Sequence, residues 1–419
     1  MRRALLSVLT MSMLSAPALA QDEVELLKAQ IKALQEQMAK LQAKLNRLEA
    51  ARGGKAVVGV KSPIKIYGKI KMDAIYDTHN MGADAFITKL PRGDRADRAT
   101  FNMKDTRLGF IVDGPEVDGW KVTGRVEGDF YGLGGSGKDN GAFRIRLSYI
   151  NLNDGQGTNI RIGQDYIPIA SQMASTLDFL SMGASGNLWD RVAQITITQN
   201  LGGGFGVLAT AWKSSATTDG VGMRMPWLGA KAFYKGDLLG TGKPLYLALG
   251  GAYRQGSDEI GVDTNDDKKL DKWYKDDVND YLVAVEWNIP FNLFIPMGIK
   301  GEAYVGQGLT SRDFLVFTPA HYLDGEDVEE LQTKGGFIQL SMKPFEKISF
   351  NFGAGMNDPD NDDADKAGTY EKNWRAFGNV LYKFAPGVTF GLEIDHQETL
   401  YDNGVEHGNR LMASAIYVW

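Results

Sequence analysis

Ten basic residues fall where an alternating strand would place them on one face: Lys65, Lys69, Lys71, Arg107, Lys121, Arg125, Arg144, Arg146, Arg161 and Arg191. Asp73, Asp105, Glu127 and Asp129 share that face. Such a series can hold and release small anions without any cofactor. Arginine is permanently charged and grips a carboxylate or phosphate with two donors, and a weak ladder lets each site release as readily as it binds. The plainer alternative is that the acids pair with the bases and only stiffen a wall. Either way the guanidiniums must turn away from lipid, where one charge at the midplane costs about 2–4 kcal/mol.

Catalytic and metal chemistry finds little support. His79, His321, His396 and His407 sit in or beside separate loop-like segments, none at zinc-ligand spacing. The chain has no cysteine, so disulfides and thiolate sites are excluded. Gly240-Thr241-Gly242-Lys243-Pro244 lacks the first glycine of a phosphate loop and its final Ser or Thr. No G-x-S-x-G elbow marks a serine nucleophile. The acidic run 263–280 lacks the glycine and terminal glutamate of a calcium loop. Neither an enzyme nor a cofactor is expected. Arg92, Arg95 and Arg98, interleaved with Asp94 and Asp97, read as a solvated loop.

The elements that must carry the ten are strands. In IKIYGKIKMDAIYD, residues 64–77, Ile64, Ile66, Ile70, Met72 and Tyr76 alternate with Lys65, Tyr67, Lys69, Lys71 and Asp73. The same alternation puts Arg144 and Arg146 on the polar face, and Ile145, Leu147 and Tyr149 on the apolar one. Sixteen strand-like segments follow from such patterns: 64–77, 101–112, 119–131, 142–153, 158–165, 189–199, 204–213, 228–235, 244–255, 280–288, 297–307, 334–342, 346–355, 373–383, 387–397 and 408–419. Their spacers alternate long and short, as in a sixteen-stranded antiparallel membrane barrel with long outer loops and short periplasmic turns. After the N-terminus no run of 18 apolar residues occurs, so spanning by helices is excluded.

The N-terminus supplies the address. Arg2 and Arg3, an apolar stretch from Ala4 to Leu14 and Ala18-Leu19-Ala20 read as a signal peptide over 1–20. Its removal takes two basic and no acidic residues, moving the net charge from −6 to −8. That balance excludes a nucleic-acid binder working by bulk electrostatics. Segment 21–50 carries Val24, Leu27, Ile31, Leu34, Met38, Leu41, Leu45 and Leu48 at strict 3-4 spacing. This is the a/d seam of a self-associating coiled coil, and its mixed aliphatic a positions permit three strands. Residues 51–63 are a linker to a barrel domain over 64–419. An even number of strands leaves both barrel ends, and so the coil, in the periplasm. At the other terminus Tyr417 and Trp419 end an alternating strand, resembling the signal read by barrel-insertion machinery.

IYGKIKMDAIYD (66–77), FNMKDTRLGF (101–110), VEGDFYG (126–132), FRIRLSYINL (143–152) and IRIGQ (160–164) follow the coil in order. Together these pieces resemble the DcaP-like trimeric porins, relatives of the phosphate-selective porins. The resemblance implies a sixteen-stranded, homotrimeric outer-membrane channel for small, often anionic solutes such as dicarboxylates. It also implies contact with outer-membrane lipid and lipopolysaccharide, and a constriction loop after Gln164. The competing expectation is a structural protein whose barrel anchors a coil that tethers the membrane to the cell wall. About 25 helical residues reach roughly 38 Å, short for a bridge and adequate for fixing trimer register.

Overall fold

In the computed structural model the described residues are Glu36, Lys40 and 64–419, without 83, 84, 95, 133–140, 215–224, 264, 266, 267 and 312. The signal peptide, the coiled-coil seam and the linker lie outside the described residues. So does Arg95. Within 21–50 only Glu36 and Lys40 are described, both helical and exposed.

Strands follow one another along the chain: β1 Ile64–Asp77, β2 Arg98–Asn102, β3 Arg107–Val117, β4 Trp120–Gly132, β5 Ala142–Asn153, β6 Thr158–Tyr166, β7 Arg191–Gly202, β8 Phe205–Ser214, β9 Trp227–Gly236 and β10 Leu245–Val262. Then come β11 Lys272–Asn292, β12 Pro296–Gln307, β13 His321–Asp324, β14 Asp327–Glu330, β15 Gln332–Phe345, β16 Ile348–Pro359, helix α1 Asn361–Lys366, β17 Lys372–Ala385, β18 Val388–Tyr401 and β19 Gly404–Val418. All but β13 and β14 join one antiparallel sheet, which closes where β1 pairs with β19 from Lys69↔Val418 to Asp77↔Arg410. β2 and β3 pair with the upper and lower halves of β1, so they form one barrel strand broken at residues 103–106. The barrel therefore has sixteen strands, as the alternation predicts.

Two details depart from the expectation. β10 and β11 run 18 and 21 residues, far beyond 244–255 and 280–288, because polar residues continue the ladder past the apolar belt to Val262↔Lys272. In β5, Leu147 and Tyr149 face the lumen rather than lipid. The register steps from Glu127↔Leu147 to Gly128↔Ile145, leaving Arg146 as the extra residue of a bulge. Arg144, Arg146 and Leu147 can thus all turn inward, while Ile145 and Ile150 stay on the exposed outer face.

Ile66, Ile70, Ile195, Ile338, Ile394 and Leu411 are also exposed on that outer face. Polar side chains at the alternate positions are covered from inside. This inversion of a soluble core is what a lipid-facing barrel requires. Phe205 and Tyr234, Phe384 and Phe390, and Tyr417 and Trp419 form ring pairs at the short-turn end, like an interfacial aromatic girdle.

Candidate functional site

The lumen is narrowed by residues 167–190, which leave β6 and fold back inside the barrel. Their apolar side chains Ile167, Ile169, Leu177, Phe179, Leu180, Met182, Leu188 and Trp189 are buried there. Backbone N–H groups of this loop find their acceptors on the wall. Ser171 donates to Glu286 at 2.8 Å, Ser175 to Gln339 at 2.6 Å, and Leu177 and Asp178 to the two oxygens of Glu393 at 2.6 and 3.0 Å. Leu188 donates to Glu302. In the other direction Lys71 reaches the Leu177 carbonyl at 2.7 Å, and Asn373 reaches that of Ala184 at 2.6 Å. A loop inside a barrel must satisfy its backbone somehow, and this wall supplies the partners.

Asp178 is the central staple. Its carboxylate accepts from the backbone of Ile87 and Leu180, each at 3.1 Å, and pairs with Arg375 at 3.0 Å and Arg410 at 3.5 Å. Immediately beyond, Ser181, Met182 and Ala184 hold positive φ angles of 48°, 69° and 68°. Strained non-glycine backbone of this kind persists only where the surroundings over-determine it.

Opposite the staples lies the basic wall. Lys69 pairs with Asp105 at 2.6 Å, Lys71 with Asp73 at 3.1 Å, and Arg107 with Asp105 at 2.8 Å. Arg125 meets Glu127 at 3.0 Å and donates to the Tyr67 hydroxyl at 2.7 Å. Arg144 grips Asp129 through two bonds of 2.7 and 3.2 Å. Arg146 bridges Glu127 and Asp129 at 3.0 and 2.9 Å, and Arg161 pairs with Asp165. Arg191 makes no ion pair among the described residues; Asp190 beside it accepts from its backbone N–H. Lys65 and Lys121 are exposed on the wall below the cluster.

Pairing does not silence the wall. From Lys69 to Arg191, leaving the Arg161–Asp165 pair aside, seven bases (Lys69, Lys71, Arg107, Arg125, Arg144, Arg146 and Arg191) meet five acids (Asp73, Asp105, Glu127, Asp129 and Asp190). Arg107, Arg125 and Arg144 keep 25%, 33% and 32% of their side chains accessible, while Arg146 keeps 1% and Lys71 3%. The first three can meet a solute; the last two brace the acids.

Reasoning from the sequence overlooked the other half of the lumen. Lys231 pairs with Glu286, Arg254 with Asp280 and Asp313, Arg375 with Asp178 and Asp395, and Arg410 with Asp77. The period-2 rule that found Arg144 also finds Glu393, Asp395 and Gln397 on one face of β18. In loop one, Arg92 pairs with Asp402, both half exposed, and Arg98 reaches the Gly82 carbonyl, so both arginines are tied to neighbouring loop residues.

No protein-family model matches this chain, and no curated protein matches it by sequence. Solved structures do. The outer membrane channel DcaP of Acinetobacter baumannii matches with a TM-score of 0.69 and 23% identity, covering 88% of this chain and 99% of the other. An anion-selective porin from Comamonas acidovorans matches at 0.56 and 14% identity, covering 86% of this chain and all of the other. The trimer form of OmpT, an outer membrane protein of Vibrio cholerae, matches at 0.52 and 15% identity, covering 85% and 99%. The likeness is one of fold: this chain's sixteen-stranded antiparallel barrel shares its fold with these outer-membrane proteins.

Proposed function

We propose that the protein is a passive outer-membrane porin admitting small anions, dicarboxylates among them, along its basic wall. One observation carries the reading: Arg107, Arg125 and Arg144 stay partly open to the lumen, on the wall opposite the carboxylates that hold the inserted loop. A passing carboxylate exchanges water for guanidinium donors and leaves easily, because each arginine already shares its charge with an acid. The similarity in fold to a porin described as anion-selective supports the same direction.

The working form is a homotrimer in the outer membrane, with the seam Val24, Leu27, Ile31, Leu34, Met38, Leu41, Leu45 and Leu48 setting register in the periplasm. Tyr417 and Trp419 serve barrel insertion, and lipid and lipopolysaccharide cover the apolar belt. Planar-bilayer reversal potentials under a salt gradient test the channel. Preference for anions is expected; a preference for cations, or no conductance, would sink it.

A further inference from the structure

Four arginines of the basic wall converge on one aromatic ring. The guanidinium carbons of Arg146, Arg144, Arg107 and Arg191 lie 5.3, 5.7, 5.9 and 5.9 Å from the centre of Phe179. They come from β5, β3 and β7, while Phe179 comes from the inserted loop. The ring is itself fixed. Its backbone N–H donates to the Ala85 carbonyl at 2.9 Å, and the Asp178 staple precedes it. Phe86 and Tyr131 pack on it at 4.9 and 4.6 Å. The ring is 6% exposed, and its neighbours form a buried aromatic cluster.

An aromatic partner does something a carboxylate cannot. A carboxylate holds a guanidinium by cancelling its charge and occupying its donors. A ring quadrupole attracts the cation and leaves both charge and donors available. Arg191 shows the difference most plainly. It makes no ion pair among the described residues, its Nη1 has no hydrogen-bond partner, and it lies by Phe179 and, at 5.6 Å, by Trp189. Arg144 is intermediate, held by Asp129 and lying near both Phe179 and Tyr131.

We infer that Phe179 is the positioning residue of the selectivity wall: its ring gathers Arg107, Arg144, Arg146 and Arg191 at the constriction without neutralising them. The inference rests on the porin reading above and deepens it. It names the group that sets how strongly the wall prefers anions. The ring need not touch a solute. It acts through the arginines it keeps in place.

The test uses the full-length protein in planar bilayers, with succinate as the probe. Wild type, Phe179→Leu, Phe179→Met, Phe179→Tyr and Arg144→Gln are compared for reversal potential and for half-saturation of succinate-dependent current noise. The two aliphatic variants keep bulk and lose the ring quadrupole. They should lose about threefold in anion-over-cation permeability and weaken succinate half-saturation similarly. Phe179→Tyr keeps the ring and should retain wild-type values. Should Phe179→Leu refuse to assemble, Phe179→Met carries the same comparison. Wild-type selectivity in either aliphatic variant, alongside a shift in Arg144→Gln, overturns this inference and leaves the porin reading standing. Wild-type protein with no anion preference overturns both.

Discussion

The two walls of the lumen use the same residue types for opposite ends. On the β1–β7 side, bases outnumber acids and three arginines remain partly accessible. On the β11–β18 side, Glu286, Glu302 and Glu393 are buried, and each accepts at least one backbone N–H of the inserted loop. The first wall keeps charge in reserve; the second spends its charge on holding a segment of chain. A charged residue inside a barrel is therefore not in itself a sign of solute contact. On the proposed porin reading, what separates the two walls is that one leaves arginines accessible to a solute while the other is occupied by fixed backbone.

The largest expected effect comes from breaking the holding wall. Arg375 is fully buried among Asp178, Asp395 and Glu393, at 3.0, 2.6 and 3.9 Å. Arg375→Met leaves those carboxylates with too little positive charge, which costs about 3–5 kcal/mol for a buried pair. The loop should loosen before the barrel does. Protease cleavage within 167–190 and noisy single-channel currents should appear while the barrel keeps its folded mobility on unheated gels. Quiet currents and an uncut loop would contradict the assignment of that wall as an anchor.

A comparable experiment divides the basic wall itself. Arg146 is buried across Glu127 and Asp129, so Arg146→Gln should destabilise the barrel by about 3–5 kcal/mol. Arg144 is a third accessible, so Arg144→Gln should cost only about 0–1 kcal/mol. It should nonetheless shift selectivity toward cations. Equal stability losses with equal selectivity shifts would erase the distinction between bracing and solute-facing arginines.

The seam of that wall gives a middle-sized effect. Gly68 exchanges backbone bonds with Trp419, and a Cβ there would clash with the Arg107 carbonyl oxygen and lie 2.6 Å from the Trp419 ring. Gly68→Val should cost about 1–3 kcal/mol through overpacking where β1 meets β19. Slower refolding into detergent, with no change in selectivity once folded, is the expected pattern. A simultaneous loss of selectivity would show that the displacement reaches the arginine cluster through the Arg107 backbone, which stands beside the glycine.

The contrast between walls also explains what could be read from the sequence. Strand count, closure and the ten basic positions follow from period-2 alternation, a local property that survives without tertiary knowledge. Leu147 and Tyr149 depart from simple alternation because one bulge residue, Arg146, shifts the register, and nothing in FRIRLSYINL marks it. The anchoring role of Glu393 was out of reach for another reason. Its partners, Leu177 and Asp178, lie more than 200 residues away and bind through backbone groups that have no side-chain signature. Phe179 is likewise one aromatic among many until the fold gathers four arginines around it.

The smallest effect tests whether anchoring by carboxylates extends to the long-loop end. There the hairpin of β13 and β14 is held against β10 and β11 by His321, which bonds Asp258 at 2.8 Å and Asp280 at 2.9 Å. Arg254 and Asp313 complete the surroundings, and Asp276 accepts from the Val328 backbone. Burial alone would lower the imidazolium pKa, but bonds to Asp258 and Asp280 outweigh it and raise it to about 9. A group whose folded pKa is raised stabilises fully below its unfolded value near 6.5. That stabilisation is lost as pH climbs through about 9. The hairpin should therefore be tight at pH 6 and loosen towards pH 10, with the barrel unaffected. Because the chain contains no cysteine, a single spin label at Glu329→Cys reports the hairpin alone. Its mobility should rise between pH 8 and 10 and should lose that step in His321→Gln. A label equally immobile at both extremes would mean that strand pairing and the Asp276 contact hold the hairpin unaided, and that ionic anchoring ends inside the barrel.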